Sequence, residues 1–436
     1  MVCGHLIATF LRVRCSVRKM SILRPFLSRA IRQGRLTVVA PDGSREVFGQ
    51  PAAGFPEVAI RFTSRKGMRR ILLDPRLGAA EAFMDGEMEL VEGDIMELIA
   101  LVRMNTPWDR GAKLLDKTWL GRRAEWVTTR IGSINRQRRS RANVKHHYDI
   151  GNDLYRLFLD ADMQYSCAYW PRPDMTLEEA QVAKKAHIAA KLALAPGQRV
   201  LDIGCGWGGM AITLAKLKQV EVLGITLSEE QLALARQRAE AAGVADRVKF
   251  ELIDYRDLAA REAGRFDRIV SVGMFEHVGA PNFEAFFRAA ANLMTADGVM
   301  LLHTIGRFGG PGSTDAFTRK YIFPGGYIPA LSETLAASEK SRLIATDIET
   351  LRLHYALTLR QWYARTLAHE DEIVRMMGVR FFRMWCFYLA GATSAFESGG
   401  MGNYQIQFAR SRHALPLTRD YMGEAERGYH ERGEEN

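Results

Sequence analysis

The chain has 436 residues, 47% hydrophobic and 25% charged, with 60 Lys plus Arg against 50 Asp plus Glu and a formal charge of +10. That length exceeds what one hydrophobic core organises, so two domains are expected, and the composition is globular rather than disordered or fibrous. Five cysteines, at positions 3, 15, 167, 205 and 386, form no Cys-x-x-Cys pair; this leaves no disulfide framework or zinc pattern and points to a reducing cytosol, and no apolar run approaches the ~18 residues of a bilayer span.

At the start of the chain the apolar residues Met1 to Phe10 precede Arg12, Arg14, Arg18 and Lys19. A secretory signal carries its positive charges first, so residues 1–20 are expected to be an extension, with translation from Met20 as an alternative start. An amphipathic helix is predicted over Ser21–Arg32. Residues 35–62 alternate with turn signals and predict a short antiparallel sheet with a tight turn at Asp42-Gly43. Helical spacing follows over Arg76–Phe83 and Ile95–Met104, which makes residues 21–110 a small α+β accessory domain with no catalytic constellation.

Residues 111–147 are expected to be a basic linker, in which Arg122, Arg123, Arg130, Arg136, Arg138, Arg139, Arg141 and Lys145 face only Glu125 over the basic run. Two readings stay open. One is a solvated linker; the other is contact with anionic headgroups, where each basic residue is worth about 1 kcal/mol. No nucleic-acid motif accompanies the charge, so no nucleic-acid partner is expected.

The stretch Arg199-Val-Leu-Asp-Ile-Gly-Cys-Gly-Trp-Gly-Gly209 reads as a buried strand, Arg199–Ile203, a glycine turn and a helix from about Met210. Gly204, Gly206 and Gly209 satisfy the dinucleotide pattern G-x-G-x-x-G, which also wants an acid about 20 residues on. The next strand, Glu221–Thr226, ends in Thr226-Leu227-Ser228 without one. Asp202 precedes the glycines instead, and Asp254-Tyr255-Arg256 follows the third strand, Val248–Ile253. This order predicts an α/β, class I (Rossmann-like) S-adenosylmethionine-dependent methyltransferase domain in preference to an NAD enzyme.

Further on, the strand Phe266–Val272 leads into Gly273-Met-Phe-Glu-His277, and Val299–Leu302 ends in His303-Thr-Ile305. A lid-like insertion spans Phe308–Leu335. The apolar helix Val379–Phe396 reads either as the wall of a chain-binding tunnel or as core packing. Asp254, Glu276 and His303 fall at the carboxyl ends of parallel strands, where α/β enzymes keep their sites. Cys167 and Tyr355 add a thiol and a phenol, and no metal spacing links any of them. A nucleophilic Cys/His pair is one use of the set; an inert packing thiol is the other. Tyr148 and Trp207 are aromatic candidates for facing a sulfonium or carbocation.

From about residue 30 the chain resembles the cyclopropane-fatty-acyl-phospholipid synthase family, related to the mycolic acid cyclopropane synthases. The motifs that carry the resemblance are His147-Tyr-Asp-Ile-Gly-Asn-Asp153, Tyr165-Ser-Cys-Ala-Tyr169, Leu201-Asp-Ile-Gly-Cys-Gly-Trp-Gly208, Gly224-Ile-Thr-Leu-Ser228 with Gln231, Phe275-Glu-His-Val278 and Tyr321-Ile-Phe-Pro-Gly-Gly326. The resemblance implies a catalytic domain over residues 148–425, a polar tail over 426–436, and transfer of a methylene from S-adenosylmethionine to the cis double bond of a phospholipid acyl chain. It implies a bicarbonate ion as base, at Cys167, Glu276, His303 and Tyr355 with backbone help near Gly273 and Ile305. Cofactor contacts are implied for Tyr165, Ser166, Gly204, Gly206, Thr226, Leu227 and Gln231; Asp202 and Asp254 are added from their place in the motif order. The expected setting is a homodimer, cytoplasmic and bound to the anionic inner face of the membrane. Two rivals stand beside this reading: a relative that stops at methyl transfer, and a non-catalytic lipid-binding protein.

Overall fold

The computed structural model describes residues 23–111 and 151–434. The expectations for Met20, for residues 1–20, for the basic run and for Tyr148 lie outside the described residues. Two compact units result: residues 23–111, 316–321 and 366–400 form one, and residues 151–315, 322–365 and 401–434 form the other. The continuous catalytic domain expected over 148–425 is therefore interrupted twice.

The first unit opens with helix α1 (Arg24–Ala30), then strands β1 (Gly34–Val39), β2 (Arg45–Gln50) and β3 (Glu57–Phe62). The β1–β2 hairpin turns at Asp42-Gly43, where Gly43 takes φ +82° and Asp42 Oδ1 accepts from Ser44 N and Oγ. The predicted all-antiparallel sheet is corrected at β3. After the long return over 51–56 it pairs with β1 in parallel, which a tight hairpin turn cannot give. Helices α2 (Arg65–Leu73) and α3 (Pro75–Met84), strand β4 (Met88–Glu92) and helix α4 (Ile95–Met104) complete this part, with strand order β2-β1-β3-β4. The helix Val379–Glu397 buries Phe382, Trp385 and Leu389 and packs on α4 and α3. Its apolar stripe is core.

The second unit has helices α5 (Asn152–Phe158) and α6 (Leu177–Lys191), then β5 (Arg199–Ile203), α7 (Gly209–Lys218), β6 (Glu221–Thr226), α8 (Glu229–Ala241), β7 (Val248–Leu252), α9 (Tyr255–Arg261) and β8 (Phe266–Val272). Helix α10 (Phe283–Leu293), strand β9 (Met294–Arg307), helix α11 (Leu331–Glu339), strand β10 (Ile344–Leu351), helix α12 (His354–Ala368) and strand β11 (Met401–Ala409) follow. The sheet runs β10-β11-β9-β8-β5-β6-β7, with β11 antiparallel to both neighbours and the β9-β8-β5-β6-β7 pairings parallel. One face is covered by α6, α7 and α8 through Ile188, Leu214 and Ala235, the other by α10 through Phe286 and Phe287. Burial on both faces accounts for the apolar runs of the central strands, such as Ile269-Val270 in β8 and Val299–Leu302 in β9. Strand order reverses between β5 and β8, and that crevice is where such sheets bind ligands.

Strand β9 is longer than predicted. It continues to Arg307 because β11 pairs with it from Val299 to Arg307, so His303 is a strand-interior residue rather than a loop residue. Among the described residues no helix is long and apolar enough to cross a membrane.

Candidate active site

The turn after β5 is built by positive φ at Gly204 (+81°) and Gly206 (+54°), with the Gly204 and Cys205 N–H groups both donating to Ile225 O at 2.9 and 3.0 Å. A Cβ on Gly204 would stand 2.8 Å from Met274 Cγ, so only glycine keeps both the turn and the neighbouring loop in place. A cavity opens over this turn. Asp202, Gly204 and Gly206 line it from β5 and its turn; Thr226, Leu227 and Gln231 from the β6 tip; Asp254 from the β7 tip; Gly273 from β8. Tyr165 and Ser166 line it from the segment before α6.

Polar groups in the cavity are arranged by these strand ends. Thr226 Oγ1 donates to Gln231 Oε1 at 2.9 Å, and the Ser228 N-cap accepts from Gln231 N. Asp254 caps α9 and is gripped by Arg256 through Nε at 2.8 Å and a terminal nitrogen at 2.7 Å. The acid at the β7 tip thus comes already paired, and Tyr255 and Arg256 line the cavity with it. Asp202 is different: burial pushes its carboxyl up to about 7, against the opposing charge of Lys184, and among the described residues its Oδ2 has no hydrogen-bond partner. Tyr165 stacks on Trp362 at 5.1 Å, and Tyr355 meets the same indole edge-on at 5.8 Å.

A second group of residues lies beside this cavity. The buried Glu276, in the turn after β8, accepts at Oε1 from Ile305 N at 2.6 Å, while its Oε2 has no hydrogen-bond partner among the described residues. Burial pushes its carboxyl up to about 7 despite the Ile305 and Thr304 hydrogen bonds, which act in the opposite sense. His303 is buried and held neutral well below its usual range by burial first and by the nearby Lys184 charge second. Its Nε2 and Nδ1 face the side-chain amides of Asn403 and Gln405 at 3.0 and 3.2 Å. A neutral imidazole accepts at one nitrogen and donates at the other, so one of these amides presents its oxygen.

Two sequence expectations meet limits here. The Gly273 N–H donates to His303 O at 2.9 Å and the Ile305 N–H to Glu276, so both backbone donors expected to serve an anion are engaged within the protein. Cys167 is buried with its thiol 3.3 Å from Ala168 O and pushed far above its usual range by burial. It stays a thiol, which removes the nucleophilic reading.

Several cavity residues were not singled out from the sequence. Gln164, Met274 and His277 line it, and burial pulls the His277 ring down to about 4. Trp207, read only as an aromatic candidate, also lines it; its indole N–H donates to Asn152 Oδ1 at 2.8 Å and its ring packs 5.1 Å from Tyr155. His277 and Trp207 sit inside the quoted motifs. Gln164 and Met274 carry no type or spacing that marks them.

A seven-stranded sheet with one antiparallel strand, a glycine turn at the switch point and no acid at the β6 tip define a class I S-adenosylmethionine-dependent methyltransferase. Residues 135–406 match the family described as mycolic acid cyclopropane synthetase, and residues 22–107 match a domain of unknown function. The chain belongs to the mycolic acid cyclopropane synthetase family. It is 39% identical over 357 residues to a Pseudomonas putida protein named "Probable fatty acid methyltransferase", covering 78% of this chain and 85% of that one. It is 38% identical over 351 residues to the cyclopropane-fatty-acyl-phospholipid synthase of Escherichia coli K12, covering 80% of this chain and 87% of that one. The solved mycolic acid cyclopropane synthase CmaA1, complexed with SAH and CTAB, superposes with a TM-score of 0.58 at 34% identity, covering 62% of this chain and 98% of that chain.

Proposed function

We propose that the protein is a cyclopropane-fatty-acyl-phospholipid synthase, placing a methylene from S-adenosylmethionine across a cis double bond of a phospholipid acyl chain. The observation that carries the reading is Glu276, a buried carboxyl near neutral pKa with a free oxygen beside the methyl-donor cavity. Attack by an alkene on the methyl leaves a cation, and a ring closes only when a base removes one proton from the former methyl. Cys167 kept as a thiol, and a His303 ring whose two nitrogens are engaged by the Asn403 and Gln405 amides, suit a site that must not trap that cation.

A bicarbonate ion at Glu276, His303, Tyr355 and Cys167 would supply the base. Glu276 fits that neighbour because, half protonated near pH 7, it shares a proton with an anion rather than repelling it. The ion would compete with Glu276 for the Ile305 N–H. The remaining chain residues orient the methyl donor and exclude water.

The substrate lies in a bilayer, and the +10 charge with the basic run before residue 147 supports docking on the anionic inner face of the membrane. A second reading, methyl transfer without ring closure, is favoured by the name of the Pseudomonas putida relative. Incubation of the purified protein with S-adenosylmethionine and vesicles of unsaturated phosphatidylglycerol, followed by lipid mass spectrometry, separates them. A gain of one CH2 that survives catalytic hydrogenation as a ring supports the synthase; a methyl-branched or unmodified chain overturns it.

A further inference from the structure

Helix α6 carries a lysine that the chemistry above does not use. Lys184 is fully buried, at 0% exposure, yet among the described residues no carboxylate lies within ion-pair distance of it. Its Nζ donates to two neutral oxygens, Gln164 Oε1 and Ser166 Oγ, the latter at 3.1 Å. Buried ammonium groups are ordinarily paired. The neighbouring Lys185 and Lys191 obey that rule, with Asp162 and Glu349.

Both oxygens that Lys184 holds belong to cavity-lining residues. Gln181, one turn earlier, donates from Nε2 to Gln164 O at 3.2 Å and to Ser166 O at 3.0 Å, so α6 fixes this segment from behind at backbone and side chain together. Across the cavity, Asp202 presents its unpartnered Oδ2. The cavity wall therefore carries one buried carboxylate and has one buried cation directly behind it, neither within ion-pair distance of an opposite charge among the described residues.

The ligand of such a site has the complementary pair. The nucleoside of a methyl donor sits at the β6 and β7 tips, where strand-tip groups of this kind meet ribose and base. With the nucleoside there, the amino-acid tail would run back toward β5 and β8, to the part of the cavity lined by Ser166 and Asp202. That tail is a zwitterion. We propose that Lys184 is a positioning residue of this site: through Ser166 and Gln164 its charge holds the α-carboxylate of S-adenosylmethionine, while Asp202 faces the α-ammonium.

Burial drives the two groups toward neutrality, Lys184 down to about 8 and Asp202 up to about 7, as expected of charges waiting for a ligand partner. Fixing the tail fixes the sulfonium, and an alkene nucleophile depends on that orientation. The inference rests on S-adenosylmethionine as the ligand of the cavity.

The test is calorimetric titration of the wild type and Lys184→Gln with S-adenosylmethionine and with its decarboxylated analogue. Lys184→Gln keeps a donor for Ser166 but removes the charge. The expected result is a loss of roughly 10- to 100-fold in affinity for S-adenosylmethionine, at the low end of what removing a direct buried charge partner costs because Lys184 acts through two neutral oxygens, with unchanged affinity for the decarboxylated analogue. Equal losses for both ligands, or no loss for either, overturn the inference. If the variant does not fold, the wild type decides alone, since equal affinity for the two ligands overturns it. No binding of either ligand by the wild type contradicts the methyltransferase reading instead.

Discussion

The backbone N–H of Ile305 on β9 donates to Glu276 Oε1 at 2.6 Å, while the other carboxyl oxygen of Glu276 is buried without a partner. The Ile305 and Thr304 hydrogen bonds hold the group in place; burial, with the second oxygen left without a partner among the described residues, still raises it to about 7. Glu276→Gln is therefore expected to fold and to bind S-adenosylmethionine as the wild type does, and to lose at least about 100-fold in turnover, the lower range for a positioned acid–base group. Steady-state kinetics with a separate binding titration check both halves.

The same group makes stability depend on pH. Its folded pKa lies above the ordinary value of 4.5, so its contribution is fully present below pH 4.5 and is lost as pH rises through about 7. The glutamine variant has no such loss. At pH 8 it is expected to be more stable than the wild type by up to about 3 kcal/mol, with the gap closing by pH 4.5. Denaturant melts at the two pH values measure it, and a gap that widens toward acid would contradict the assignment.

His303 depends on the amides of β11. Asn403→Leu removes the partner of Nε2 and leaves a buried ring nitrogen unsatisfied, which costs about 1–3 kcal/mol. A fall in kcat with an unchanged KM for S-adenosylmethionine is expected, because Asn403 does not line the cofactor cavity.

Two glycines of the turn predict different outcomes. Both Gly204 and Gly206 have positive φ, but an added Cβ meets Met274 at 2.8 Å only at position 204; at 206 it meets open space. In denaturant melts of the unliganded protein, Gly204→Ala is expected to destabilise the fold more than Gly206→Ala, because backbone strain of about 1–3 kcal/mol acts at both positions but displacement of Met274 only at 204. Equal effects would contradict the role given to Met274.

Trp385, fully buried in the helix Val379–Glu397, tests the core assignment of that apolar stripe. Trp385→Ala is expected to destabilise its unit by about 3–5 kcal/mol without altering S-adenosylmethionine affinity. Thermal melting and titration read the two effects separately.

Sequence and structure agree where local patterning decides. Strands β5, β6, β7 and β8 follow from apolar runs ended by turn residues, and the strand ends place Asp202, Thr226 and Asp254 around one cavity. Pairing across long separations was not legible. Strands β10 and β11 were missed, and with them the extension of β9 that puts His303 inside the sheet. Parallel pairing of β3 with β1 likewise has no local signal. Nor does local patterning show that helix α6 buries Lys184, Lys185 and Lys191, whose polar partners come from distant strands and loops.

Ring formation is the central claim, and the fate of the methyl hydrogens tests it most directly. The protein is given S-adenosylmethionine carrying a fully deuterated methyl group and vesicles of unsaturated phospholipid, and the product chain is analysed by mass spectrometry. Ring closure removes one deuteron from the transferred carbon, so the account predicts a product that keeps two and, unlike an exocyclic methylene that would also keep two, takes up no hydrogen on mild catalytic hydrogenation. A product that keeps all three deuterons would contradict it.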